Sequence, residues 1–288
     1  MAISLRNNGI VWLASYPKSG NTWFRALLSN YLADRNECVP LDELAVPWGI
    51  ARRTLDTLTG LDASLLLPEE LQPLWSALNR ELAATLPAPR LLKTHAALMT
   101  TNGFLDPQGS AGAIYLVRNP LAVCVSFTHH RANSIEDTIA LMRDRQHHMR
   151  RSGHDWHPAL TECVSSWHDN VTAWADNRAL PTLLIRYEDL LEDTAATFTE
   201  AVAFLGLDVD ASRIERAVSH STFERLQTQE NRHGFREKSP RAERFFRQGK
   251  KDEWQAKLNR RQVNELLRNH GEIMERFGYS TRLPASIT

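Results

Sequence analysis

The sequence predicts one α/β domain with a central parallel β-sheet flanked by helices. Three observations predict it. Short apolar runs recur along the chain, helical stretches lie between them, and each apolar run stops at polar or charged residues. Runs this short, without a polar face, fit strands buried on both sides. In an open parallel sheet, ligands sit beyond the carboxyl ends of the strands.

The first run is Ile10-Val-Trp-Leu-Ala-Ser15, ended by Tyr16-Pro17. After a polar turn comes Thr22–Leu32, where Trp23, Leu27, Leu28, Tyr31 and Leu32 recur at helical spacing. Leu91-Leu92 leads into Lys93-Thr94-His95, Ala113–Val117 into Arg118-Asn119-Pro120, and Thr182–Ile185 into Arg186-Tyr187-Glu188. Four strand ends carrying Lys18, His95, Arg118 and Tyr187 predict one shared, partly basic crevice. Helices are predicted at about 64–86, 121–131, 134–150, 159–178, 194–205 and 255–277. Segments at about 36–90 and 129–158 read as additions over the sheet, the second, rich in His and Arg, as a lid. Residues 231–251 hold eight Lys/Arg against two Glu, with Gly and Pro and no clear period, and read as a long functional loop.

Composition narrows the partners. The chain has 288 residues, 34 Lys+Arg and 34 Asp+Glu. A neutral balance argues against wholesale nucleic-acid binding and leaves room for a local basic pocket. No apolar run is long enough to span a membrane, and the first residues lack the apolar core of a signal peptide. Three scattered cysteines, Cys38, Cys124 and Cys163, form neither a disulfide framework nor a zinc pattern. Cytoplasmic residence is the expectation.

The turn after the first strand carries the first chemistry. Strand, tight turn and helix direct free backbone N–H groups and the helix dipole toward an anion. In Ser15-Tyr-Pro-Lys-Ser-Gly-Asn-Thr22, Gly20 permits an unusual backbone angle and Lys18 adds a charge. Ser19, Asn21 and Thr22 add hydrogen-bonding groups. A Walker A loop needs its lysine directly after the last glycine. Here Lys18 precedes Gly20, so an ATP–magnesium arrangement is not supported. The turn alone fits an ordinary structural turn as well as a phosphate cradle.

Tyr16-Pro-Lys-Ser-Gly-Asn-Thr-Trp23 resembles the 5′-phosphosulfate loop of the cytosolic-type sulfotransferases that use 3′-phosphoadenosine 5′-phosphosulfate (PAPS). Further blocks follow in that family's order. Lys93-Thr-His95 resembles its catalytic-base segment. Tyr115–Ser126, with Arg118 and Ser126 eight apart, resembles its 3′-phosphate segment. Ile185–Leu190, Ser219–Phe223 and Phe246–Trp254 resemble the remaining blocks, so the likeness runs from residue 10 to about 254.

The resemblance implies a P-loop-like, phosphosulfate-binding turn and PAPS as co-substrate, with no metal required. Residues 18–23, including Trp23, would hold the phosphosulfate. Arg118, Ser126, Arg247, Gln248 and Gly249 would hold the 3′-phosphate, and Trp23 and Phe223 would flank the adenine, with Tyr187 among the cofactor residues. His95 would be the general base, Lys18 would stabilise charge on the leaving oxygen, and Lys93 would assist on the sulfuryl oxygens. The acceptor would be a small molecule bearing a hydroxyl: a phenol, an alcohol or a sugar. A P-loop kinase or a nucleotide-binding module without turnover is the alternative.

Two positions depart from the family pattern. Gln248 stands where the C-terminal block carries Lys, and Asn21 where the loop carries a second Thr. No dimer pattern is evident after Trp254, so the sequence sets no oligomeric state. His129-His130, His147-His148, His154 and His157 cluster near the predicted lid without metal-ligand spacing and fit an acceptor mouth or a plain solvated surface.

Overall fold

Strands β1 (Ile10–Ser15), β2 (Leu91–Thr94), β3 (Ser110–Val117) and β6 (Thr182–Arg186) form one sheet in the order β2-β1-β3-β6. Every pairing in it is parallel. Two short strands, β4 (His148–Met149) and β5 (Glu162–Cys163), pair antiparallel outside it. The computed structural model describes residues 9–47, 52–62, 65–66, 70, 74–85, 90–98, 106–149, 162–247 and 249–284.

The two-residue period of a strand sends successive side chains to opposite faces, and both faces here are apolar. Ile10, Trp12, Ala14, Leu92, Ala113, Tyr115 and Val117 pack on one side. They meet α3 (Trp75–Thr85), α4 (Pro120–Arg131), α5 (Ile135–Arg143), α6 (Trp167–Ala175) and α11 (Arg260–Arg276). Val11, Leu13, Leu91, Ile114, Leu116 and Ile185 face the other side. There they meet α1 (Asn21–Ala33), α7 (Tyr187–Glu192), α8 (Thr194–Phe204) and α9 (Ala211–His220). Helices α2 (Arg52–Thr59) and α10 (Phe223–His233) are further helices among the described residues. The edge strand β2 is capped where Lys93 N–H donates to the Pro47 carbonyl at 2.9 Å.

The four predicted strands form, and several helix limits move. The helix expected over 134–150 ends at Arg143, after which the chain turns and extends into β4. The helix expected from 159 starts at Trp167, because Glu162–Cys163 is a strand and Ser165 adopts a positive φ of 61°. The Ser166 side chain then accepts from Asp169 N–H and caps the helix. The last helix begins at Arg260 behind an Asn259/Gln262 capping box rather than at 255. Helices α9 and α10 lie where no helix was expected. Helix α10 is mostly polar and buries only Leu226 and Glu230, so periodicity gives little sign of it. From Gly234 to Lys251 the described residues form neither helix nor strand, as expected of the basic stretch.

Asn170 on α6 ties the sheet's carboxyl edge to the helices. It is fully buried; its amide donates to the carbonyls of His95 (3.0 Å) and Val164 (2.7 Å), and its Oδ1 accepts from Tyr115 Oη at 2.7 Å. Asn170→Ala strands these partners in the core, where each unmade hydrogen bond costs about 1–3 kcal/mol. Urea denaturation should show a loss of at least about 2 kcal/mol; an unchanged midpoint would remove Asn170 from this role.

Candidate active site

The turn between β1 and α1 is held in an open, strained form. Lys18 has φ 68° and Gly20 φ 97°, both in the left-handed region. A side chain at Gly20 would put its Cβ 2.6 Å from Tyr187 Cδ2, so only glycine fits against that ring. The Asn21 amide donates to the Leu13 carbonyl and to Ser15 Oγ, both at 3.2 Å, and binds the turn back onto β1. Ser19 is 1% exposed, yet its Oγ has no hydrogen-bond partner, and Asn21 Oδ1 and Arg118 Nε are also buried without one.

One cleft at the carboxyl edge gathers residues from all four strand ends. Lys18, Lys93, His95, Arg118, Ser126 and Tyr187 line it together. Gly20, Asn21, Thr22, Trp23, Phe223, Arg247 and Gly249 line it too. Arg118 bridges its two sides: one guanidinium nitrogen donates to the Lys18 carbonyl at 3.0 Å and the other to the Lys250 carbonyl at 3.4 Å. Its carbon sits 4.2 Å from the centre of the Tyr187 ring. Trp23 meets the same ring edge-on and donates its indole N–H to the Ser221 carbonyl at 2.9 Å. Arg247 is held by both carboxylate oxygens of Glu253. Gly249, at φ 63°, lies so close to Phe223 that an added Cβ would sit 2.7 Å from its ring. Gln248, His154 and His157 lie outside the described residues, as do parts of 36–90 and all of 150–158.

His95 is held in one orientation by the Ser15 carbonyl. It is 5% exposed, and its Nδ1 lies 2.7 Å from the Ser15 carbonyl. A carbonyl only accepts, so Nδ1 carries the proton and donates, and the lone pair lies on Nε2. Glu162 fixes the strand end: Oε1 accepts from Thr94 Oγ1 at 2.9 Å and Oε2 from the His95 N–H at 3.3 Å.

The cleft crowds positive charge in a dry place. Burial, then the neighbouring Lys93 and Arg118 charges, lowers the Lys18 pKa to about 7. Burial lowers Lys93 to about 8 against the pull of Glu237. His130 falls to about 3 through burial and the charges of Lys18 and Lys93. Burial favours the neutral form of each base and added positive charge deepens the shift. An anion entering the cleft reverses it.

Several cleft residues were not among the individually predicted site residues. Glu237 and Phe245 come from the basic stretch, and Phe127, His130 and Met149 from the segment read as a lid or from its edge. Phe245 lies 4.0 Å below the Lys18 ammonium. The basic stretch thus places Glu237 and Phe245 beside Lys93 and Lys18, and the segment read as a lid contributes His130 and Met149 to the same cleft. Being one of two acids inside a basic run was the only available pointer to Glu237. Among the described residues no cluster of His, Cys, Asp and Glu could hold a metal ion.

This geometry gathers cationic and unpartnered polar groups at the carboxyl edge of a parallel α/β sheet. The chain belongs to the sulfotransferase domain family, whose profile spans residues 9–278. It is similar to Sulfotransferase 1B1 of Mus musculus, 27% identical over 231 residues, covering 76% of this chain and 65% of that protein. Sulfotransferase 1A1 of Bos taurus is 25% identical over 232 residues, covering 74% of this chain and 64% of that protein. The chain thus spans slightly under two thirds of the length of these relatives. Among solved structures, mouse sulfotransferase SULT7A1 complexed with PAP matches with a TM-score of 0.59 at 20% identity, covering 93% of this chain and 85% of that one. Retinol dehydratase, in complex with androsterone and the inactive cofactor PAP, matches at 0.61 and 20%, covering 96% and 83%. At such identity these structures establish the fold.

Gly20→Ala tests the turn. A left-handed non-glycine residue costs about 1–3 kcal/mol, and the Tyr187 ring must also move. A lower midpoint in urea is expected; full retention of stability would contradict the close packing at this ring.

Proposed function

We propose that this chain transfers a sulfuryl group from PAPS to a hydroxyl of a small acceptor molecule, with His95 as general base. The observation that carries the reading is His95 itself: a buried imidazole with its proton fixed on Nδ1 by the Ser15 carbonyl, in one cleft with Lys18, Lys93 and Arg118. Family membership supports it, as do relatives named as sulfotransferases and PAP in related structures.

The residues present fit an adenosine carrying two anionic groups. Ser19 Oγ and Arg118 Nε are buried polar atoms without partners among the described residues, and Gly20 lets the turn pack directly on the Tyr187 ring. Lys18, Ser19, Gly20 and Thr22 would hold the phosphosulfate, with Asn21 fixing the turn. Arg118, Ser126, Arg247, Gln248 and Gly249 would hold the 3′-phosphate, where a planar guanidinium matches the oxygens in pairs. Trp23, Tyr187 and Phe223 would enclose the adenosine. PAPS, when bound, supplies the sulfuryl group.

Each residue's part follows from its surroundings. His95 Nε2 takes the acceptor hydroxyl's proton, and the Ser15 carbonyl stabilises the imidazolium that forms. Lys18 titrates near 7 in the anion-free cleft; a nearby anion raises that value and keeps the ammonium charged, so it stabilises charge on the leaving oxygen. Lys93 offers a second cation for the sulfuryl oxygens. Phe127, Met149, His130 and Phe245 give the acceptor mouth an apolar, partly aromatic wall. The chain works as one domain, with its acceptor side built partly from 36–90 and 129–158. The cytoplasm suits it: its cysteines are free thiols, and no described helix is long and apolar enough to cross a membrane. No observation favours the kinase reading.

Transfer of labelled sulfate from PAPS to a panel of phenols, alcohols and sugars, in EDTA, tests this. The protein should label at least one acceptor, and His95→Ala should lose about 10²–10⁴-fold in rate with its affinity for adenosine 3′,5′-bisphosphate retained. Transfer at the wild-type rate in the variant would exclude His95 as the base, and no transfer to any acceptor would defeat the proposal.

A further inference from the structure

Glu237 is an acid in a basic run, and it points into the cleft rather than toward solvent. Its Oε2 accepts from Lys93 Nζ at 2.8 Å and its Oε1 from an Arg25 guanidinium nitrogen. The two cationic side chains are almost fully buried, at 3% and 5% exposure, against 20% for Glu237. Arg25 is anchored at its other end, where Nε donates to the Val46 carbonyl at 2.7 Å. The loop that bears Glu237 is pinned as well: the Glu230 carboxylate accepts from the amides of Phe245 (2.6 Å) and Phe246 (2.9 Å). Exposed ion pairs contribute little. A buried cation that loses an adjacent carboxylate is left poorly compensated at high cost.

We propose that Glu237 is a positioning residue for the transfer: its carboxylate, braced by Arg25, holds the Lys93 ammonium charged and in place at the cleft. This rests on the reading of Lys93 as a partner of the sulfuryl oxygens. A rival role differs in the sign of its effect. If Glu237 merely filled the space of an incoming anion, removing its charge would speed the reaction.

The charges around Lys93 decide the expected pH effect. Glu237 and, from β5, Glu162 favour its ammonium; Arg25 from α1 disfavours it. Lys18 and, from α4, His130 face the same cleft, and Lys18 is coupled to Lys93 by repulsion. Burial is the largest influence and brings Lys93 down to about 8. Glu237 also raises Lys18, together with Glu230. Removing the Glu237 charge therefore lowers both lysines further, and the neutral forms gain at any given pH. The alkaline limb of activity must move to lower pH.

The experiment compares wild type, Glu237→Gln and Glu237→Asp as full chains. It records kcat/KM against pH with PAPS and an acceptor. Separately, without any ligand, it follows the ¹³Cε resonance of Lys93 in ¹³C-lysine protein, assigned through Lys93→Arg. Glu237→Gln should lower both the alkaline limb and the Lys93 titration by about one pH unit, the scale of one adjacent charge, and Glu237→Asp should restore part of each. An unmoved Lys93 resonance, an unmoved limb or faster turnover in Glu237→Gln overturns the proposal. If wild type transfers no sulfate, the functional reading fails instead, and the resonance alone still decides whether Glu237 holds Lys93. Should Glu237→Gln not fold, the Lys93 resonance in Glu237→Asp decides in its place: a lowered titration supports the proposal and an unmoved one overturns it.

Discussion

A parallel sheet covered by helices on both faces can place charge only at its ends. That constraint shapes this protein. β1, the core of β2 and most of β3 are buried throughout, so Ser15, the Lys93–His95 segment, Arg118 and Tyr187 occur where the strands stop. Because all strands run the same way, those stops fall on one edge. The cleft is thus a consequence of strand direction, and the chemistry is concentrated there without any single loop having to assemble it.

Once gathered, the cations oppose one another. Lys18, Lys93 and Arg118 line one cleft with Glu237, whose carboxylate bonds Lys93 and, behind the cleft, Arg25. Burial costs a charge more than a distant partner returns, which is why both lysines titrate well below their usual range. Such a site favours an anion. The unpartnered Ser19 hydroxyl and Arg118 Nε say the same in hydrogen bonds. In the proposed reading, binding and catalysis draw on one store of unsatisfied polarity: an anionic nucleotide would both complete the cradle and restore charge to Lys18 and Lys93.

Much of this was legible in the sequence, for physical reasons. Buried strands leave continuous apolar runs, and the residue after each run is the one at the sheet's edge, so Lys18, His95, Arg118 and Tyr187 could be placed together. The turn was legible because Gly20 marks a backbone angle that other residues resist. The start of α6 was not, because Ser165 takes a positive φ and Ser166 caps late, both local choices that periodicity does not encode. Helix α10 escaped because it buries little. Glu237 escaped because its importance lies in Arg25 and Lys93, which are distant along the chain and meet it only in the fold.

The central claim is that the cleft holds two anionic groups at opposite ends of one adenosine without a metal ion. Calorimetry in EDTA with adenosine 3′,5′-bisphosphate against 5′-ADP tests it most directly, because the two carry similar charge and differ in whether a phosphate reaches the Arg118 side. The account predicts that the 3′,5′-bisphosphate binds at least about tenfold more tightly, the equivalent of one charge-assisted contact. Equal affinity, or tighter binding of ATP with magnesium, would contradict it.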